Sequence, residues 1–319
     1  MLADELRVSG WADPWLVQKQ ATVSLRTHVL YRGWYEHYIR DALGHKLLQQ
    51  VMPAEITTLF VDLRDKLKPR TLRTGWVITK MMFADAQRAG LIVTNPCDRA
   101  VPPPAPRRSQ SMRVWTAAQE GQFLQEIATE PDHAVFRLAA TTGMRRSELL
   151  GATWESVNFD SGTLDVRQTV VEDRSGRPVL STTKTQGSRR TIDLDPATIE
   201  ALKQHRRHQL AERLRLGFGR VESDLVFCHP DGKPIPPQRL TARFAVLVKR
   251  SSLPRIKLHD LRHTHASLLL ANGTPVNVVS ERLGHADSSI TLKIYAHLLP
   301  GQARDAALRL AALVDRASS

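Results

Sequence analysis

Between residues 257 and 298 the chain reads KLHDLRHTHASLLLANGTPVNVVSERLGHADSSITLKIYAHL, and its punctuation leaves room for three short helices and little else. The first is expected over 260–272, closed by Gly273 where a left-handed cap residue is needed. Thr274 and Pro275 supply the N-cap and first position of a second helix, which Gly284 closes. Asp287 and Ser288 offer caps for a third, whose Ile290, Ile294 and Leu298 recur every four residues and so must face inward. The chemistry-bearing side chains fall off these stripes. His259 and Arg262, three apart, share a face; His285 follows the second helix; Tyr295 stands on the third.

Three readings compete for this stretch. Two helices joined by a short turn suit a DNA-binding helix-turn-helix. His259 and His263, at i and i+4, suit a zinc-protease helix, but that motif wants a Glu where Asp260 stands, and Arg262 between the ligands would repel a dication. A cation, two imidazoles and a phenol suit a phosphodiester active site with a tyrosine nucleophile. That third reading demands further cations, and the chain has them. TTGMRRSELL over 141–150 places Arg145 behind a glycine, with Glu148 three residues on and on the same helical face. TKTQGSRR over 183–190 places Lys184 at the expected tip of a hairpin.

Taken in order, and ending in a tyrosine ten residues after LGH, these motifs resemble the tyrosine recombinases, the phage-integrase type of site-specific DNA recombinase. The resemblance covers roughly residues 112–300. It implies a mainly α chain with a small antiparallel β-sheet (α+β), in which a helical core-binding domain and a mixed catalytic domain form a C-shaped clamp on DNA. It also implies four protomers on two paired sites of double-stranded DNA, exchanging strands through a four-way junction, with an accessory directionality factor left open as a further partner. Two other functions remain in play: a type IB topoisomerase-like relaxase, using the same residues as a monomer, and a non-catalytic DNA-binding protein.

The chemistry these residues suit is attack of the Tyr295 phenol oxygen on a DNA phosphodiester, giving a 3′-phosphotyrosyl link and a free 5′-hydroxyl. A phenol of pKa about 10 is ionised to roughly one part in a thousand at pH 7, so it needs a proton acceptor, for which His259 is the candidate. Arg145 and Arg262 would clamp the non-bridging oxygens with their planar forks. Lys184 would protonate the departing 5′ oxygen, His285 would donate to the phosphate, and Glu148 would hold Arg145 or His259 in place. No metal is expected, because four cationic or hydrogen-bonding groups replace it, and no nucleotide cofactor, because the ester to Tyr295 conserves the bond energy. His263, His265 and His297 are read as packing or polar contacts.

Composition agrees with a polyanionic partner. The formal net charge is +13, and it is spread, with 14 basic against 10 acidic side chains in residues 1–100 and 29 against 22 in residues 112–319. Cys97 and Cys228, far apart and without partners at metal spacing, argue for a reducing compartment. No apolar run approaches the ~20 residues of a membrane span. The expectation is a cytoplasmic protein, bacterial or phage-encoded, without a membrane partner.

Along the chain, residues 1–23 read as a lead-in with room for a short helix. A helix is expected from Ser24 to Gly44, another from Pro53 to about Lys68, and a third from about Thr71 to Gly90, making residues 1–100 the helical core-binding domain. Arg70, Arg73 and Lys80 lie along the third helix where they would reach phosphates. Residues 101–111 form a proline-rich basic linker, with Arg107 and Arg108 suited to tracking a backbone. Residues 112–319 form the catalytic domain with its tail. There Thr116 and Gln119 make a capping box, and 134–151 form a helix pair. Runs at 164–171, 179–183 and 191–194 alternate as strands, and helices resume over 196–214 and 238–250. The small apolar residues of 300–319 make a short tail helix expected to pack on a neighbouring protomer.

Overall fold

The structure, a computed structural model, describes residues 5–105, 113–173, 175–182, 189–218, 224–285, 287–295, 311 and 315. It divides into two compact units, residues 1–111 and 112–319.

The first unit is helical: α1 (Val8–Thr22), α2 (Leu25–Trp34), α3 (Arg40–Leu43), α4 (Pro53–Asp62) and α5 (Pro69–Arg88). The first of these fills most of the lead-in with a helix of 15 residues, longer than the short one for which the sequence leaves room. Trp11 and Trp15 are buried, and their indole N–H groups donate to the Met82 carbonyl at 3.1 Å and to Asp85 Oδ2 at 2.7 Å, pinning α1 along α5. Pro14 inside α1 removes a backbone donor and hides the helix in the sequence. Ser24 caps α2 by accepting from the Thr27 N–H at 3.2 Å, but the single helix expected to Gly44 is widened by a π turn over Tyr35–Ile39 before α3. Trp34, Tyr35 and Ile39 are all buried around that turn. Trp34 lies across Gly75 of α5 so closely that a Cβ there would stand 2.0 Å from Trp34 Cζ2. Its indole donates to Thr79 Oγ1 at 3.0 Å.

Arg70, Arg73 and Lys80 lie on the exposed face of α5, and Lys80 pairs with Asp98 at 2.8 Å. Beyond α5, residues 101–105 carry no regular secondary structure, and Arg107 and Arg108 lie outside the described residues.

The second unit opens with α6 (Ala117–Glu126), capped reciprocally as the sequence suggests: the Gln119 N–H donates to Thr116 Oγ1 at 3.2 Å and the Thr116 N–H to Gln119 Oε1 at 2.9 Å. Then follow α7 (His133–Thr142) and α8 (Arg146–Gly151), five strands, β1 (Val157–Asn158), β2 (Thr163–Val166), β3 (Gln168–Glu172), β4 (Pro178–Thr182) and β5 (Arg190–Asp193), and five helices, α9 (Pro196–Arg215), α10 (Pro237–Arg250), α11 (Leu258–Ala271), α12 (Val276–Leu283) and α13 (Ser288–Tyr295). Trp115, Phe123, Phe136 and Phe244 form an aromatic centre with ring centroids 5.1 to 6.3 Å apart. The backbone N–H of Trp115 donates to Thr264 Oγ1 at 3.1 Å, which seats α11 beside that centre.

The strands depart from expectation. The run at 164–171 breaks at Arg167 into β2 and β3, which join different antiparallel sheets: β1-β2-β5, and the two-stranded β3-β4. β5 pairs with β2, with Val166 opposite Arg190, while β4 pairs with β3. Lys184, expected at a hairpin tip, lies outside the described residues. Among the described residues no helix is long and apolar enough to cross a membrane.

Candidate active site

The site is built on two tight turns that lie against one another. Gly143 ends α7 in the left-handed region at φ 64°, and any Cβ there would meet His265 Cδ2 and Leu283 Cδ2 at 2.8 Å. Gly284 ends α12 at φ 66°. Both closures free carbonyls that basic side chains then take up.

Arg262, on α11 and only 4% exposed, donates from Nη1 to the Gly143 carbonyl and from Nη2 to the Leu283 carbonyl, each at 2.7 Å. Arg145, at the N-cap of α8, donates from Nη2 to the Gly284 carbonyl at 3.0 Å. The two guanidiniums therefore grip consecutive peptides of one turn. Burial first, and Arg145 second, bring the Arg262 guanidinium down to about 10, so it keeps its charge at neutral pH.

Glu148, 3% exposed, is no surface charge. Its Oε1 accepts from Arg145 Nη1 at 2.8 Å, and its Oε2 accepts from the Arg145 backbone N–H and from Arg190 Nη2, both at 2.9 Å. Burial pushes its carboxyl up, but the Arg190 bond and charge, with those of Arg145, outweigh burial and hold it below its ordinary value. Of the two partners expected for Glu148, the structure gives it Arg145; the second guanidinium on it, Arg190, was not foreseen. One signal existed. Arg190 alternates in phase with Ile192, which is 1% exposed, so a strand reading places its side chain on the core face.

Tyr295 ends α13 with its ring 1% exposed, packed among Ala266, Leu270, Val279 and Leu283. Its hydroxyl shares a 2.6 Å hydrogen bond with Nδ1 of His263. Burial pushes the phenol up to about 12 against a smaller opposite pull from Arg262. His263 is lowered to about 4 by burial and then by His259, so its ring is neutral and able to accept the phenol proton in that bond. His259, one turn earlier and exposed, meets His263 edge to face at 4.8 Å; desolvation and then Arg262 lower it too. His285 follows Gly284 and shares a 2.8 Å bond between Nδ1 and Thr291 Oγ1, and burial with the Arg262 and Arg145 charges lowers it to about 4. His265 is buried, accepting at Nε2 from Arg282 Nε at 3.3 Å. Lys184 and His297 lie outside the described residues. Among the described residues no three His, Cys, Asp or Glu side chains gather as a metal site would need.

Arg145, Glu148, Arg262 and His285 thus meet at one turn, with Tyr295 buried behind α11. The arrangement gathers two guanidiniums, a carboxylate and an imidazole at one turn, with a phenol buried nearby.

Comparison with known proteins gives the same direction. The model of the phage integrase family matches residues 113–301. A tyrosine recombinase XerC-like protein of Caldanaerobacter subterraneus is 30% identical over 88% of this chain and 76% of its own length. The ICEBs1 integrase of Bacillus subtilis is 25% identical over 86% of this chain and 74% of its own. Among solved structures, the Tn1549 transposon integrase in complex with transposon right end DNA superposes with a TM-score of 0.80 at 21% identity, covering 96% of this chain and 100% of that one. A lambda integrase dimer bound to a core site gives 0.67 at 18%, covering 92% and 78%. At those identities the structural likeness is one of fold, and the family rests on the sequence matches: the chain belongs to the phage integrase family of tyrosine recombinases, enzymes that break and rejoin DNA strands at specific sites.

Proposed function

We propose that Tyr295 is the nucleophile of this recombinase and that the turn at residues 283–285 marks the place of the scissile phosphate. The supporting observation is that Arg262 and Arg145 hold the carbonyls of Leu283 and Gly284, two adjacent residues, immediately before His285. Two forks so placed suit the non-bridging oxygens of one phosphate, where the charge of the transition state develops. In this scheme Tyr295 forms the bond to phosphorus, the bond to the 5′ oxygen breaks, and Lys184 supplies the proton that oxygen takes. His285 donates to the phosphate, and His259 takes the phenol proton once Tyr295 has left its buried position.

The first unit is the core-binding domain in this reading, with Arg70, Arg73, Lys80 and the linker's Arg107 and Arg108 on the DNA backbone, sequence-independent contacts that weaken with salt. A lambda integrase tetramer bound to a Holliday junction shares the fold at a TM-score of 0.64 and 18% identity. By analogy four copies of this chain act on two paired DNA sites in the cytoplasm of a bacterial host, the 300–319 tail joining neighbours, with a directionality factor left open as a further partner.

A nicked suicide duplex tests the assignment. The wild-type chain should trap a covalent protein–DNA band on a denaturing gel, and Tyr295→Phe should bind the duplex without trapping it; a band from Tyr295→Phe would overturn the reading. The scheme uses no metal, so the band should survive EDTA. Loss restored by zinc would return His259 and His263 to the role of ligands.

A further inference from the structure

Arg190 takes no part in the scheme above, yet it is an enclosed cation bonded directly to two parts of it. Its side chain is 5% exposed, and its donors are spent inward: Nη2 on Glu148 Oε2 at 2.9 Å, Nε on the Arg282 carbonyl at 2.7 Å. A Cβ on Gly284 would stand 2.7 Å from Arg190 Nη1, so the glycine of the phosphate turn is also where this guanidinium fits. Three elements thereby meet on one side chain: β5, which carries it, α8 through Glu148, and the end of α12.

We propose that Arg190 is a positioning residue for recombination, which never touches DNA but fixes Glu148 against Arg145 and ties the 282–284 turn to β5. The inference rests on Arg145 being a phosphate ligand, as proposed above.

The physical case turns on Glu148. A buried carboxylate needs compensating donors, and one taken from water with a partner missing is costly. Arg145 by itself cannot fill the role, because its side chain is 37% exposed and, in the proposed scheme, must offer donors outward. Arg190 supplies the enclosed positive charge that lets Glu148 stay ionised while Arg145 faces the substrate. Remove it, and burial prevails: Glu148 takes up a proton, loses half its acceptors for Arg145, and the clamp is no longer aimed. A lysine would keep charge near the carboxylate but has no second, fixed donor for the Arg282 carbonyl.

This mechanism leaves a signature in pH. Single-turnover adduct formation on the nicked duplex would be followed from pH 5.5 to 9 at saturating DNA, with DNA affinity measured alongside, for the full chain carrying Arg190→Gln, Arg190→Lys, and Arg190→Gln with Glu148→Gln. Arg190→Gln should bind DNA within about threefold of wild type, form adduct roughly a hundredfold more slowly at pH 6, and recover much of that loss by pH 9 as Glu148 is forced to ionise. The double variant, with nothing to ionise, should be slow at every pH. Arg190→Lys should be milder and keep the wild-type pH profile, and it carries the test if Arg190→Gln fails to fold. The inference is overturned if Arg190→Gln matches wild type, if its defect is equal at all pH values, or if Arg190→Lys shows a new acidic limb. A wild-type chain that traps no adduct would instead overturn the Tyr295 assignment, and this inference with it.

Discussion

The Tyr295 hydroxyl and Nδ1 of His263 sit 2.6 Å apart, and this bond holds the phenol proposed as nucleophile in its buried position. Burial holds the phenol up at about 12 and the imidazole down at about 4, so both partners stay neutral and the phenol keeps its proton. His263 in this arrangement is a holder of the phenol and not its base. In the proposed scheme, attack follows once Tyr295 leaves this pocket.

Removing the holder should therefore help. In His263→Leu the buried hydroxyl loses its partner, a penalty of about 1–3 kcal/mol against the retracted position. Single-turnover adduct formation should rise roughly fivefold or more with DNA affinity unchanged. A slower variant would show that the imidazole is needed in the reaction itself.

Acid should destabilise the catalytic unit for a related reason. His263 and His285, lowered to about 4, and His265, lowered to about 3, bind protons less readily folded than unfolded, where an imidazole titrates near 6.5. Their contribution is fully present above pH 6.5 and is lost as pH falls from there toward 4, because the unfolded chain then gains protons that the folded chain does not. At pH 5 each costs on the order of 2 kcal/mol. Calorimetry should find the unfolding temperature falling between pH 7 and pH 5, and falling less in His285→Asn. A variant with the same dependence as wild type would remove His285 from this account.

Two glycines in the first unit separate packing from propensity. A Cβ on Gly75 would lie 2.0 Å from the rigid Trp34 ring, whereas Gly33 on α2 has nothing within 4 Å. Gly75→Ala should destabilise the unit by about 1–3 kcal/mol through overpacking, despite the better helix propensity of alanine. Gly33→Ala should be neutral or stabilising by up to about 1 kcal/mol. Urea titration of the two variants decides it, and equal stabilities would mean that α2 and α5 can part at no cost.

How much could be read beforehand follows from the range of the interactions. At the end of the chain the caps are local: Gly284 closes α12 in the left-handed conformation, and α11, α12 and α13 start within two residues of where the glycines and Pro275 place them. The break at Arg167 follows from the choice of β5 or β4 as partner, and its one local trace is Gln168, a polar residue in the phase of Leu164, Val166 and Val170. Trp11 and Trp15 are understood only through Met82 and Asp85, some 70 residues away. In the site, Glu148 and Arg145 are three residues apart and visible as a pair, while Arg190 joins them from 42 residues on and His263 reaches Tyr295 across 32.

The role assigned to Lys184 can be isolated by changing the leaving group. If Lys184 gives its proton to the departing 5′ oxygen, its loss matters only where that oxygen leaves poorly, as an alkoxide does. Sulfur in the bridging 5′ position leaves as a thiolate whose conjugate acid has a pKa near the ~8.5 of a cysteine, and so needs no acid. Lys184→Ala should be severely slow on the ordinary duplex and close to normal on the thio-substituted one. Arg145→Ala should stay slow on both, since the work proposed for it is to stabilise charge on the phosphate whichever atom departs. Equal slowness of Lys184→Ala on the two substrates would assign the lysine to holding a base or phosphate, and the acid would then have to be sought at His259 or His285.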